Sequence, residues 1–578
     1  MKKIFCLCLF INSFVLLFAQ NTSVPVLERE ISLSQTNQSI QTVLASLSQQ
    51  GGFVFSYNPE AIGASSRVTV IIQQKSVRHA LNIIFNETVS YKVKGRYIIL
   101  QKKKVDVVSG EQKQIVIEGY VYDGKSGQKV TQTSVYDKNL MVSAITDKYG
   151  YFRITLPPGN NKQNIHFSKE GYVDTMVIPL QAKSSYLNIE LNALPPDIAK
   201  SLPVNDKHSK KLFRVPAWMI SQKIIIHTRN FSDFIFKDVQ FSFFPNISTN
   251  KFLTGKTVNN YSFNLTIGLT QGIKKFEAAG LINIVNESVE FCQVAGIGNI
   301  VGKEVKGFQA GGIFNHGQTL SGVQSAGIYN IINDSTKGVQ MAGIVNKTDN
   351  LTKGAQIAGI GNISNNVTGI QIGGIFNIAK IVNGSQISGI INKTSNISGV
   401  QLSVINFADS ASGIPIGLFS FVKNGYHKLE MGYDESMFTN LSFRSGVQHF
   451  HTIFIAGVRM KDLNNPICSF GFGMGTSFGK NRKFLWDLDL TSQSLLKGDD
   501  LSFTNNLYRL YGGIDKSITK KMSLSIGLSF NALLSDKTGQ NKTSDYSDII
   551  PSAISSYNFS NGHNLKTWAG MKVAIRFF

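Results

Sequence analysis

Charge and cysteine are scarce in this sequence. Charged residues make up 16% of the 578 positions, against roughly 25% in soluble domains. Of four cysteines, Cys6 and Cys8 lie at the extreme N-terminus, which leaves Cys292 and Cys468. That count excludes a disulfide scaffold; the pair reads as thiols within apolar strands, with one disulfide as the alternative. Beyond the N-terminus no stretch approaches 18 consecutive apolar residues. Helical membrane spans are therefore excluded, but a transmembrane β-barrel is not, because it hides its apolar residues at every second position. No H-E-x-x-H zinc motif occurs, and no Ser/His/Asp order or carboxylate pair stands out. The glycines of "GIGNIVG" and "FGFGMG" lie in alternating strands with no helix after them, so they do not read as a nucleotide loop. His449 and His451 would share one strand face, but a third metal ligand is missing. The sequence thus offers no catalytic, cofactor-binding or metal residue, and the chain reads as a non-enzyme without a cofactor.

The first residues, "MKKIFCLCLFINSFVLLFAQ", combine a short basic start, an apolar stretch and Ala19 near a cleavage point. This is the pattern of a secretory signal peptide, expected over 1–20. Cys6 and Cys8 lie far from the cut, which argues against a lipid anchor. The formal charge of +22 is spread along loops, with dense runs only at "QKKK" and "KHSKK". An exported chain of this kind does not read as a nucleic-acid binder.

Residues 25–103 read as strand, helix, strand, strand, helix, strand. Ile40, Val43, Leu44 and Leu47 recur at helical spacing and stop at Gly51-Gly52. A second helix carries Val77, Leu81 and Ile84 on one face, with Ser76 as its N-cap. "YKVKGRYIIL" is a hairpin turning at Lys94-Gly95. On "FVFSYNPEAI" and "VTVIIQQKSVRHALNIIF" this segment resembles the short N-terminal domain of secretins and TonB-dependent signal-transducing receptors. The resemblance implies a periplasmic module that contacts another protein, often an anti-sigma regulator, and carries no catalytic residue. Residues 114–192 are alternating strands split by Gly, Asp, Asn and Pro turns. "GYVYDGKSGQKV", "TDKYGYF" and "KEGYVD" resemble the carboxypeptidase-regulatory-like β-sandwich. In that family Gly119, Asp123 and Gly127 would shape one turn, and Asp147, Gly150 and Phe152 another. A linker is expected over 193–236, where two prolines disfavour helix.

A repeat follows. Gln293, Gln309, Gln324, Gln340, Gln356, Gln371, Gln386 and Gln401 recur every 15 or 16 residues, with Glu277 standing in the glutamine position one step earlier. Asparagine follows six residues later, from Asn283 to Asn392, and slips to five at Asn406. A fixed period means one structural unit repeated rather than a set of active sites. In "GVQMAGIVN", Val339, Met341, Gly343 and Val345 alternate with Gln340, Ala342, Ile344 and Asn346, as in a strand. Two architectures fit. In an antiparallel transmembrane barrel, the first face, with Phe308 and Phe314 in a sister copy, meets lipid while the amides face inward. In a parallel β-solenoid the amides stack as ladders, and the Val and Phe face points to water. That apolar face favours the barrel, whereas the nearly equal turns and the mid-strand glycine do not.

The remaining strands, from "LEMGYDESMFTNLSFRSGV" to "LKTWAGMKVAIRFF", have membrane-barrel length. The chain ends in Phe578, with Arg576 interrupting a clean terminal pattern. "FSFFPNISTN", the repeats and "GIPIGLFSFVKNGYHKLEMGYDE" resemble a family of outer-membrane surface-repeat proteins.

The fold expected is mainly β: a small α+β domain, a β-sandwich, and a transmembrane barrel over 237–578, built partly from the repeats at 274–407. The alternative makes the repeats a β-solenoid. The expected function is an outer-membrane protein of a Gram-negative bacterium, with residues 21–236 periplasmic, acting in ligand binding, signalling or permeation. Its partners would be outer-membrane lipid and, through 25–103, a periplasmic protein of the anti-sigma type. The alternatives are a solenoid adhesin or scaffold, and a plug-less relative of TonB-dependent receptors. About 342 residues after position 236 leave too little chain for a plug and a large receptor barrel together.

Overall fold

The computed structural model describes residues 24–85, 88–102, 115–157, 164–178, 185–195, 220–461, 465–481, 483–497, 504–536, 546–560 and 562–577. The signal peptide, the "KHSKK" run, most of the expected linker and Phe578 lie outside these residues.

The chain divides into two compact units, the first ending at Ile115 apart from short pieces of the following sandwich. In the first unit, helix Ile40–Gly51 starts where the Ser39 side chain accepts the Thr42 N–H, and ends at Gly52, whose φ of 65° is left-handed. Ile40, Val43, Leu44 and Leu47 are all buried. A short helix not expected from the sequence, Pro59–Ile62, follows, and the other expected helix, Val77–Phe85, begins with the His79 N–H donating to Ser76 Oγ at 3.3 Å. Two small sheets complete the unit: Glu30–Ser39 antiparallel to Arg67–Ser76, and Tyr97–Lys102 between Val54–Ser56 and Val89–Lys94.

The second unit opens with sheets of four and three strands. The tight turn after strand Ile115–Asp123 is closed by Asp123 Oδ1, which accepts the N–H groups of Lys125 and Ser126 at 3.1 and 2.7 Å. Asp147 Oδ1 does the same for Tyr149 and Tyr151. Part of the expected linker is a helix, Gln222–Asn230, capped by Ser221. His227 and Asn230 both reach Ser134 Oγ, at 2.9 and 3.0 Å, so tertiary contact supplies what the preceding prolines withhold. Burial holds the His227 imidazole neutral, pushing its pKa down to about 3.

The repeats correct the barrel expectation. From Ile235 to Val422 the chain forms a 22-stranded stack in which each copy pairs in parallel with the next. Gln309 lies over Gln324, Gln340 over Gln356, and Asn346 over Asn362. This is a β-solenoid, and its amides are fully buried. Each glutamine Nε2 donates to the residue one coil earlier, from Gln401 back to Glu277, at 2.7–3.0 Å. Each asparagine Nδ2 donates the other way, from Asn264 on to Asn406, at 2.8–3.2 Å. The two ladders therefore run in opposite senses, so their aligned amide dipoles oppose each other. Identical amides can stack this way only if the copies run parallel, because an antiparallel meander reverses the order of residues at every strand.

A second correction concerns Ile344. It does not share the inward face with Gln340, because the strand bends at Gly343 and leaves Ile344 at 39% exposure. The bend is tight: a Cβ on Gly343 would lie 2.1 Å from the Gly327 carbonyl oxygen of the neighbouring coil. The same approach recurs between successive glycines along the stack.

A closed barrel follows, but it begins at Tyr426 rather than 237. Its eight antiparallel strands are Tyr426–Asp434, Thr439–Val447, Phe450–Arg459, Ile467–Asn481, Phe484–Lys497, Asn506–Ser517, Met522–Asp536 and His563–Phe577. Pairing of the first with the last, Leu429 with Phe577 through Asp434 with Lys572, closes it.

Candidate functional surfaces

The barrel is built inside out relative to a water-soluble one. Along Phe484–Lys497, Trp486, Leu488 and Leu490 are about half exposed, while Asp487, Asp489 and Thr491 between them are buried. Phe470, Phe472, Met474, Leu510, Leu528 and Met571 extend the apolar outer wall. Aromatic rings stand near both ends: Phe478, Phe484 and Trp486 by one set of turns, Tyr433, Phe470 and Tyr508 toward the other.

The interior is filled by ion pairs. Glu430 accepts from Arg444 Nε at 3.1 Å, Arg576 Nε at 2.6 Å and Lys572 Nζ at 2.5 Å. Arg444 forks onto both oxygens of Asp489, at 2.9 and 2.6 Å. Arg576 also meets Asp487 and Asp515, and Arg509 meets Asp434. Every one of these groups is buried. Toward the end with the longer connections, Met437, Ile467, Leu495, Leu507, Leu533, Tyr546, Ile549 and Trp568 form an apolar cluster. An eight-stranded barrel has room for side chains and little else, and this one is occupied along its length.

The solenoid presents a second apolar surface. Its two outward faces meet at a ridge formed by Ile313, Ile328, Ile344, Ile360, Ile375 and Ile390, each 39–50% exposed except Ile360 at 36%. At its first coils an apolar groove of about 1050 Å³ is lined by Phe241, Phe243, Ile247, Phe263, Leu265 and Ala278 among others.

The histidine pair is not brought together. His449 is exposed in a turn, whereas His451 is buried in the barrel with Nε2 3.1 Å from Arg444. Among the described residues, no group of three or more His, Cys, Asp or Glu side chains could hold a metal ion. Cys292 lies in a solenoid coil and Cys468 on the barrel, and both are free thiols. The internal ion network was missed from the sequence, although "WDLDL", "YRLY" and "AIRFF" carry its signal: charges at the alternate positions of otherwise apolar strands. The chain matches no known protein-family description, no curated protein and no solved structure.

Proposed function

We propose that the protein is an outer-membrane anchor whose barrel spans the bilayer and holds a β-solenoid and interaction modules on the periplasmic side. The observation that carries this reading is the inversion of the barrel: ion pairs within, and Leu, Met, Phe and Trp without. Such a wall is costly in water and suited to hydrocarbon. The connections support the sidedness. At one end the strands join through short turns, Val447 to Phe450, Asn481 to Phe484 and Ser517 to Met522, and at the other through Asp434 to Thr439 and three longer connections, Arg459 to Ile467, Lys497 to Asn506 and Asp536 to His563. Outer-membrane barrels keep short turns in the periplasm. The solenoid enters the barrel at Tyr426, on the short-turn side, so the segment before it is periplasmic. The filled interior favours anchoring and protein contact over permeation.

The first module, 25–103, then serves as the contact for a periplasmic partner, with the anti-sigma type as the candidate. The test has two arms. The full chain should fractionate with outer membranes and migrate faster on gels when unheated; recovery as a soluble periplasmic protein without detergent would sink the anchor. Planar-bilayer recordings should show no steady conductance. If removing the first module changes neither the captured partners nor any induced transcription, the signalling role is lost while the anchor stands.

A further inference from the structure

We propose that the solenoid lies along the membrane, with its isoleucine ridge immersed in the leaflet that also surrounds the barrel wall. This rests on the barrel spanning the bilayer. The first support is how the two parts join. The last coil packs against the barrel's outer side and not its mouth: Phe419 meets Phe454 at 6.0 Å between ring centroids, and Ser445 Oγ donates to the Ser420 carbonyl at 2.7 Å. Thr452, on the outer wall beside Ser445, is buried under this contact. Coils whose open edge abuts a barrel's side must stack away from it, across the barrel axis. The solenoid therefore runs along the membrane plane.

The same contact sets which edge points inward. Val422 packs with Val447 at the short-turn end, while Phe419 reaches Phe454, several residues up the wall. Leu418, the last residue of the ridge, thus sits on the side toward the middle of the bilayer, and the turn after Val422 on the side toward the periplasm.

Composition agrees. From Phe276 to Phe419 the outward columns beside each glutamine, the ridge, and the column before each asparagine contain no charged residue. The lysines stand at the margins: Lys306, Lys337 and Lys353 three residues before their glutamines, Lys347 and Lys393 just after their asparagines. Carboxylates share these margins, Glu304 pairing with Lys306 and Asp349 with Lys347; an apolar edge with charge only at its borders is the pattern of a surface seated at a membrane interface, about 5–10 Å deep. A monomer in water seldom exposes so long a continuous apolar strip.

The test uses the full chain in phosphatidylethanolamine/phosphatidylglycerol vesicles, with Cys6, Cys8, Cys292 and Cys468 replaced by serine. Nitroxides are placed singly at Ile344 on the ridge, at exposed Asn350 where strand Val345–Ala358 shifts register at the opposite corner of the coil, and at Leu490 on the barrel wall, and heat-modifiable migration confirms folding. Collision with oxygen should exceed collision with a water-soluble nickel chelate at Ile344 and Leu490, and the order should reverse at Asn350. A lipid-facing Leu490 with Ile344 open to the chelate would overturn the proposal and leave the anchor intact. An Ile344 probe shielded from both reagents would also overturn it, since protein would then cover the ridge. Chelate access at Leu490 would remove the anchor reading itself.

Discussion

Glu277 stands where the repeat otherwise places glutamine, and its burial makes a quantitative prediction. It is wholly enclosed, accepting from Gln293 Nε2 at 2.7 Å and Asn264 Nδ2 at 3.1 Å. Burial outweighs these donors and pushes the carboxyl up to about 7 from 4.5. Between those values the folded coil holds a proton that the unfolded chain has released. Stability from this group is therefore complete below 4.5, falls as pH rises toward 7, and is flat above. At about 1.36 kcal/mol per pH unit, the full loss is about 3 kcal/mol. Glu277→Gln keeps an acceptor for Gln293, offers a donor toward Ser262 and never ionises. The variant should match the parent near pH 4.5 and exceed it by up to about 3 kcal/mol at pH 8. Urea unfolding of the full chain in detergent, followed by far-ultraviolet circular dichroism, reads the solenoid. With Trp218 replaced by phenylalanine in both proteins, tryptophan fluorescence reads the barrel, since Trp486 and Trp568 both lie there. Equal pH dependence of the two proteins, or a variant weaker at pH 8, would refute the reasoning.

Gln340→Leu should cost the solenoid about 3 kcal/mol in the same assay, because Gln324 loses its donor while Thr348 and Gln356 lose their acceptor. Gly343→Ala should lower the melting temperature, since its Cβ would meet a neighbouring carbonyl at 2.1 Å; Gly512→Ala, with nothing within 4 Å, should leave it unchanged. Arg576→Met takes the paired cation from buried Asp487 and Asp515, while Glu430 keeps Arg444 and Lys572, and should weaken the barrel by about 3–5 kcal/mol, read as loss of the unheated gel form at lower urea.

Much of the architecture was legible where a local pattern decides it. Ile40, Val43, Leu44 and Leu47 announce their helix because one face of a 3.6-residue period is apolar, and all four are buried. The glutamine and asparagine columns likewise have the register read from their spacing. Period two identifies the faces of a strand but not the direction of its neighbour, so the barrel and solenoid readings stayed open on the repeat alone. The deciding signal was the near-constant step of 15 or 16, which suits a coil and not alternating short and long loops. Ile344 went to the wrong face because alternation assumes a straight strand, and Gly343 bends this one. Arg576 read as a blemish in a terminal strand because its partner, Glu430, lies 146 positions earlier. Only barrel closure brings the two together.

The two halves of the C-terminal region solve one physical problem in different ways. Each encloses polar groups and turns apolar ones outward, although the solenoid also buries Val285, Val305, Leu320 and Ile332; in the proposed membrane setting every enclosed polar group needs a partner from the protein. The barrel meets the requirement with long-range ion pairs, so its interior depends on closure. The solenoid meets it with amides that pair only with the adjacent coil, so the same pattern can extend for any number of copies. The Gln ladder reaches its last coil at Gln401, whose Oε1 lacks a partner because Pro415 stands in the next position. Within two coils of that point the stack meets the barrel wall. The ladder thus ends where the barrel can take over the covering of the exposed edge, and an unpaired β-edge is what such a stack must otherwise protect.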